Sequence, residues 1–298
     1  MNSALALAHG NPASWFSMLG QLHPARGVYT AVAKGGESGL PLIGQVNYMP
    51  GERSARFSFL IAQPELNESA AVALLENLIM QTGNWGAANI LAEVDESALI
   101  FPCLRRSGFA VYSRQEVWRV PAPERTNDTH GQEWHEATPL DAEPVQRLCH
   151  ALLPPLVQSA EEQSTFCPRG LVVRRDNQVV AFVQVLTGAR GICVQPLFHP
   201  QVADARALLD GLLNRVQGMF LAPLERPIYC MVRSYQAGLA GILAEMGADL
   251  IGEQALLVKH LAVRQRQEVP EMHFSTIDRH VRPSSPLVRH VSLPKKTE

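Results

Sequence analysis

The chain has 298 residues, of which 46% are hydrophobic and 18% charged, and its formal net charge is −2. That composition belongs to a folded protein with enough apolar residues for one or two cores, and it excludes a disordered chain. A near-neutral balance excludes a broad nucleic-acid surface, and no apolar run reaches the roughly 18 residues of a membrane span.

Met1 to Gln21 has helical apolar spacing at Trp15, Phe16, Leu19 and Leu22, with no basic leader ahead of it, so it reads as a domain start. Val28 to Ala33 and Leu42 to Met49 read as paired strands around the turn Lys34-Gly-Gly-Glu-Ser-Gly. Arg56 to Ala62 is a third strand, Ser69 to Gln81 a helix, and Asn89 to Val94 a strand. Ser97 to Ser107 is a helix stopped by Gly108, and Phe109 to Val120 is a closing strand. Residues 122–133 are polar and end the first unit, residues 1–121, as a linker.

The pattern then restarts over 134–263. Leu140 to Leu153 is a helix, and Gly170 to Arg175 with Gln178 to Leu186 forms a hairpin. Gly191 to Phe198 is a strand, Ala203 to Met219 a helix, and Ile228 to Val232 a strand. Gln236 to Met246 is a helix ending at Gly247, and Leu250 to Leu261 is the last strand. Residues 264–298 turn basic and lose any apolar period, which predicts a poorly ordered tail. The five cysteines, Cys103, Cys149, Cys167, Cys193 and Cys230, are widely spaced and predict reduced thiols in a cytoplasmic protein, with neither a disulfide frame nor a metal site. His130, His135 and Glu136 lack the i, i+4 spacing of a metal-binding helix.

Two segments look like copies of one motif. Phe59-Leu-Ile-Ala-Gln-Pro-Glu precedes Ala71-Val-Ala-Leu-Leu, and Val194-Gln-Pro-Leu-Phe-His-Pro precedes Ala207-Leu-Leu-Asp-Gly-Leu-Leu. Each is a strand, a polar loop and an amphipathic helix, followed by strand, helix, Gly and strand. With Leu104-Arg-Arg-Ser-Gly-Phe109 and Leu243-Ala-Glu-Met-Gly-Ala248, this order resembles the GNAT acyltransferases, the family related to Gcn5 N-acetyltransferases. The resemblance covers roughly 12–120 and 134–263. It implies an α/β (α+β) fold of two GNAT-like domains, each a mixed, mostly antiparallel twisted sheet flanked by helices.

The resemblance also implies acetyl-CoA or another acyl-CoA as cofactor and a small-molecule or peptide amine as acceptor. In such a site a helix start holds the pyrophosphate, and strand amides polarise the thioester carbonyl. The matching cofactor positions are Ile61, Asn67, Glu68, Ser69 and Ala70 in the first copy, and Phe198, Ala203, Asp204, Ala205 and Arg206 in the second. Neither keeps the family's glycine pair. Glu68 and Asp204 put a carboxylate where a phosphate would come, and Arg206 could offset Asp204 and touch a phosphate. Both acids also suit an ordinary first helical turn.

The family's general-acid Tyr positions read Leu104 and Leu243. Tyr235 is the nearest phenol in the second copy, His199 a candidate base at a strand end, and Glu93 a strand carboxylate, each with packing or a solvated face as its plain alternative. Two readings stay open: an acyl-CoA-dependent N-acyltransferase, or a catalytically silent tandem module that binds a small molecule or protein. Neither involves nucleic acid or a membrane, and both accommodate a homo-oligomer.

Overall fold

The computed structural model describes residues 3–9, 27–33, 41–61, 66–121, 133–161, 170–176, 178–219 and 226–261. The predicted turn at 34–39, the rest of the N-terminal helix, nearly all of the 122–133 linker and the 264–298 tail lie outside them.

The first half contains α1 (Ser3–His9), β1 (Val28–Ala33), β2 (Leu42–Asn47), β3 (Ser54–Ile61), α2 (Glu68–Asn84), β4 (Asn89–Val94), α3 (Ile100–Arg106) and β5 (Ala110–Val120). The second contains β6 (His135–Glu136), α4 (Ala142–Leu152), α5 (Pro155–Ala160), β7 (Gly170–Arg175), β8 (Gln178–Thr187) and β9 (Ile192–Phe198). It ends with α6 (Ala205–Gly218), β10 (Ile228–Arg233), α7 (Gly238–Glu245) and β11 (Asp249–His260). Two features escaped the sequence reading. β6 lies at the edge of the predicted linker and pairs with β7, and α5 begins at Pro155, where Pro-Pro reads as a stop although proline is well placed in a first helical turn.

The two copies end their second helices in the same way. Gly108 and Gly247 have φ of 86° and 75°, and the following residues, Phe109 and Ala248, donate back to the carbonyls of Leu104 and Leu243. Glycine reaches this left-handed backbone without a Cβ penalty, which fixes where each last strand begins.

The halves share one sheet of order β1-β2-β3-β4-β11-β5-β10-β9-β8-β7-β6. Each half has sent its last strand into the other. β11 lies between β4 and β5, and β5 lies between β11 and β10, all antiparallel to their neighbours. The order therefore reads the same from both ends about the central β11/β5 pair, apart from β6.

α2 buries Ala71, Leu74, Leu75 and Leu78 against Phe57, Ile90 and Ala92, while α6 buries Leu208, Leu209, Leu212 and Leu213 against Val194, Cys230 and Val232. Each such leucine contributes about 2 kcal/mol by leaving water. Leu171 and Val173 face α6, and Val172 between them faces α4 and α5, because strand side chains alternate. α5 also reaches the first half: Ala160 packs on Leu91 and Val258, and the Ser54 hydroxyl donates to its carbonyl at 3.2 Å. In return α1 docks on the second half, where the Arg190 amide donates to Ala8 O at 2.8 Å. A Cβ on Gly188 would sit 2.1 Å from that carbonyl oxygen.

α4 is anchored by Asp141, whose buried carboxylate accepts from the Thr138 amide at 2.8 Å, the Thr138 hydroxyl at 2.7 Å and Arg174 Nε at 2.9 Å. Burial pushes this carboxyl up, but the Thr138 and Arg174 contacts outweigh it and hold it below its ordinary value. Asp141→Ala should cost about 2 kcal/mol in urea unfolding, the Arg174 share being discounted because that side chain is 45% exposed. A group with a depressed folded pKa stabilises above its unfolded value near ~3.9 and loses that contribution as pH falls through the folded one. The deficit of the variant should therefore shrink on acidification from neutral pH.

Candidate functional site

In each half one parallel strand pair opens after three rungs. In the second, β9 and β10 pair at Ile192↔Ile228, Cys193↔Tyr229 and Val194↔Cys230, and then part. The local cause lies in the sequence. Ile192 donates its amide toward β10, to Pro227 O at 3.0 Å, so with a period of two the residues facing β10 are 192, 194, 196 and 198. Position 196 is proline, which has no N–H, and the ladder ends there. The next amide facing the opening, Phe198, donates to Gln236 Oε1 at 3.0 Å, whereas His199 turns the other way to Val180 O at 2.9 Å.

In the first half β3 and β4 pair from Ser54↔Asn89 to Arg56↔Leu91 and then part. Here a bulge marks the opening: against β2 the register of β3 shifts between Phe57 and Phe59, leaving Ser58 as the extra residue. The sixth residue of β4 is Val94, and the sixth of β10 is Arg233.

Both helix starts beside these wedges satisfy themselves. Asn67 caps α2, accepting from the Ala70 amide at 3.1 Å and from the Ser69 hydroxyl at 2.7 Å, while Glu68 ion-pairs with Arg106 of α3. Asp204, expected within a first turn, is the N-cap of α6 and accepts from the Ala207 amide at 2.8 Å. Arg206 reaches Glu245 of α7 at 3.2 Å, both side chains being at least half exposed, so the pair is weak and easily exchanged. Ile61 and Ala203 are exposed, and Ala205 is half-buried.

Of the three residues expected to do chemistry, two approach one cluster. Tyr235 lies in the single turn of 3-10 helix, Ser234–Gln236, that follows β10, and packs with the apolar residues around α4 and α5. Burial pushes its phenol well above the ordinary range; the Arg233 charge opposes this, and Glu161 and Cys149 add to it. Glu93 is half-buried on β4, and its charge helps to keep Arg233 protonated. His199 is tied back in its loop, where Nδ1 accepts from the Gln201 amide at 3.2 Å. Leu104 and Leu243, the positions at which the resemblance would put a Tyr, are buried at 4% and 0% exposure.

The centre of the cluster was missed by sequence reasoning. Arg233 is 4% exposed, and its Nη2 meets Glu161 Oε1 at 3.0 Å. The Tyr112 hydroxyl donates to the same oxygen. Tyr112 is the extra residue of a bulge in β5, since Val111 and Ser113 pair with the consecutive Leu257 and Leu256. Burial pushes the Glu161 carboxyl up, but Arg233, Tyr112 and Arg56 outweigh it and hold it below its ordinary value. Burial and the Glu161 charge push the Tyr112 phenol up. Arg233 Nε and Nη1 have no acceptor among the described residues. The one available signal was an arginine closing the apolar strand Ile-Tyr-Cys-Met-Val, which by itself reads as a strand end in water.

No protein-family model matches the sequence, and no curated protein matches it. Solved structures do. A conserved protein of unknown function from Staphylococcus epidermidis is similar at 11% identity and a TM-score of 0.50, over 74% of this chain and 91% of that one. A tandem GNAT protein from the clavulanic acid biosynthesis pathway aligns at 14% identity and 0.49, over 87% and 93%. A GCN5-related N-acetyltransferase from Kribbella flavida aligns at 16% and 0.47, over 83% and 95%. At such identities the likeness is one of fold. The chain is folded as two similar halves that share one mostly antiparallel sheet, each half with flanking helices and an open parallel strand pair.

Proposed function

We propose that the protein is an acyl-CoA-dependent N-acyltransferase acting on a small-molecule or peptide amine, with its cofactor at the wedge of the second half. The observation that carries this reading is the β9/β10 wedge opened by Pro196, with Tyr235 and Arg233 following directly on its β10 wall. The first wedge has Val94 at the place of Arg233 and is apolar there.

The residues fit an acyl-CoA in part. The pantetheine arm would enter where β9 and β10 part. The α6 start, capped by its own Asp204, is a poor pyrophosphate site unless Arg206 leaves Glu245 and supplies the counter-charge. When bound, the cofactor would supply a thioester carbonyl, at which the amine N–C bond forms as the C–S bond breaks. Tyr235, kept protonated by burial, holds the proton that the departing sulfur needs. Glu93, on β4 of the first half, is the carboxylate that would take the proton lost by the amine.

A second reading, a silent binding module, is favoured by a specific observation. The Phe198 amide and an amide in each helix start are already engaged by the chain's own side chains. Thermal unfolding with acetyl-CoA tests both. Saturation at a hundred times the dissociation constant should add about 2.7 kcal/mol, and thiol release with a panel of amines should follow. Binding without thiol release would select the silent module. No shift at millimolar acetyl-CoA would end the acyltransferase reading.

A further inference from the structure

Arg233 is charged, almost fully buried and only partly used. Glu161 takes Nη2, while Nε and Nη1 have no acceptor among the described residues. A buried guanidinium donates up to five hydrogen bonds, and leaving two nitrogens unpaired is costly unless another group completes them. The surrounding groups come from both halves: Arg56, Glu93 and Tyr112 from the first, and Glu161 and Tyr235 from the second. Among the described residues, the charges that act on this ion pair are those of one further arginine and one further carboxylate, Arg56 and Glu93. Glu161 is the more exposed member of the ion pair, with 14% of its side chain exposed against 5% for Arg233. It is also the residue at which the chain leaves α5 in an extended conformation, φ −103° and ψ 98°. The bulge in β5 aims Tyr112 at the same oxygen, a device common beside binding sites.

We propose that Arg233 anchors a buried site for a ligand carboxylate, that Glu161 stands in for that carboxylate when the site is empty, and that the acceptor amine therefore also carries a carboxylate. Exchanging one carboxylate for another conserves the local charge, whereas a phosphate dianion would add a negative charge beside Glu93. The planar guanidinium fork suits a carboxylate, and its unused donors give an incoming ligand bonds that Glu161 does not make. The identity of the acceptor rests on the acyltransferase reading; the carboxylate site itself does not.

The test uses the full chain and direct binding. Thermal unfolding and calorimetry are run with the common α-amino acids and with their matching carboxamides, in the presence and absence of acetyl-CoA. At least one free acid should raise the unfolding temperature while its amide does not. Glu161→Gln, which removes the competing charge with little change of shape, should tighten that acid by about tenfold or more. Acids without effect, or acids and amides acting equally, would overturn the proposal; the wild-type comparison decides this even if the variant folds poorly. Acid binding without any acetyl-CoA shift would instead leave the site standing and remove the acyltransferase reading.

Discussion

Expressed alone, residues 1–121 should fail to form a stable monomer, and co-expression with residues 134–298 should restore a soluble, folded complex. The reason is the exchange of last strands. β4 and β5 follow each other in the chain around α3, yet β11 lies between them in the sheet. A lone first half keeps two strands with no partner between them and loses Ala255, Leu256, Leu257 and Val258, all buried at 5% exposure or less. At about 2 kcal/mol for each of the three larger side chains, that loss is roughly 6 kcal/mol, comparable with the whole stability of many domains. The unpaired edges would also invite aggregation. Circular dichroism and size-exclusion chromatography decide the matter. Two halves that each unfold cooperatively as monomers would show that the exchange is dispensable.

The second large effect is expected at Glu161 and Arg233. Glu161→Ala should cost about 3–5 kcal/mol, because it strands a buried positive charge; replacing both residues by leucine should cost much less than that single change. The charge, more than the contact area, is then what the pair stabilises. The pH dependence follows from the depressed Glu161 carboxyl. Its contribution is complete above the unfolded value, near ~4.3, and disappears as pH falls through the lower folded value. Urea midpoints of wild type and Glu161→Gln should therefore differ at neutral pH and converge in acid. A gap that does not change with pH would show that folding leaves the titration of this carboxyl unaltered, and would overturn the ion pair's role.

Much of the site's frame was legible beforehand. Gly108 and Gly247 announced the two helix ends, and the Val194-Gln-Pro196 segment contained the cause of the second wedge, since a proline cannot extend a ladder. The choice of Tyr235 and Glu93 rested on local cues, strand alternation and a strand end, and both lie near Arg233. Arg206 shows the opposite case. Its place at a helix start suggested a phosphate contact, but Glu245, far along the chain on α7, is its partner in the fold. Asp204 was placed one step inside a helix that it caps, an error of register natural to a run of Ala and Asp in which either position is acceptable.

The sequence by itself determined the repeated unit, its elements, and the proline at which the second wedge opens, because periodicity, proline and glycine act on neighbouring residues. Only the tertiary structure decided that the halves trade their last strands and that Arg233, Glu161 and Tyr112 meet in one buried cluster. Nothing local to either closing strand names its neighbours, so pairing is chosen by the shape of the assembled sheet. Likewise an arginine at a strand end is at home in water or in a core, and what buries it is a helix contributed from more than seventy residues earlier in the chain.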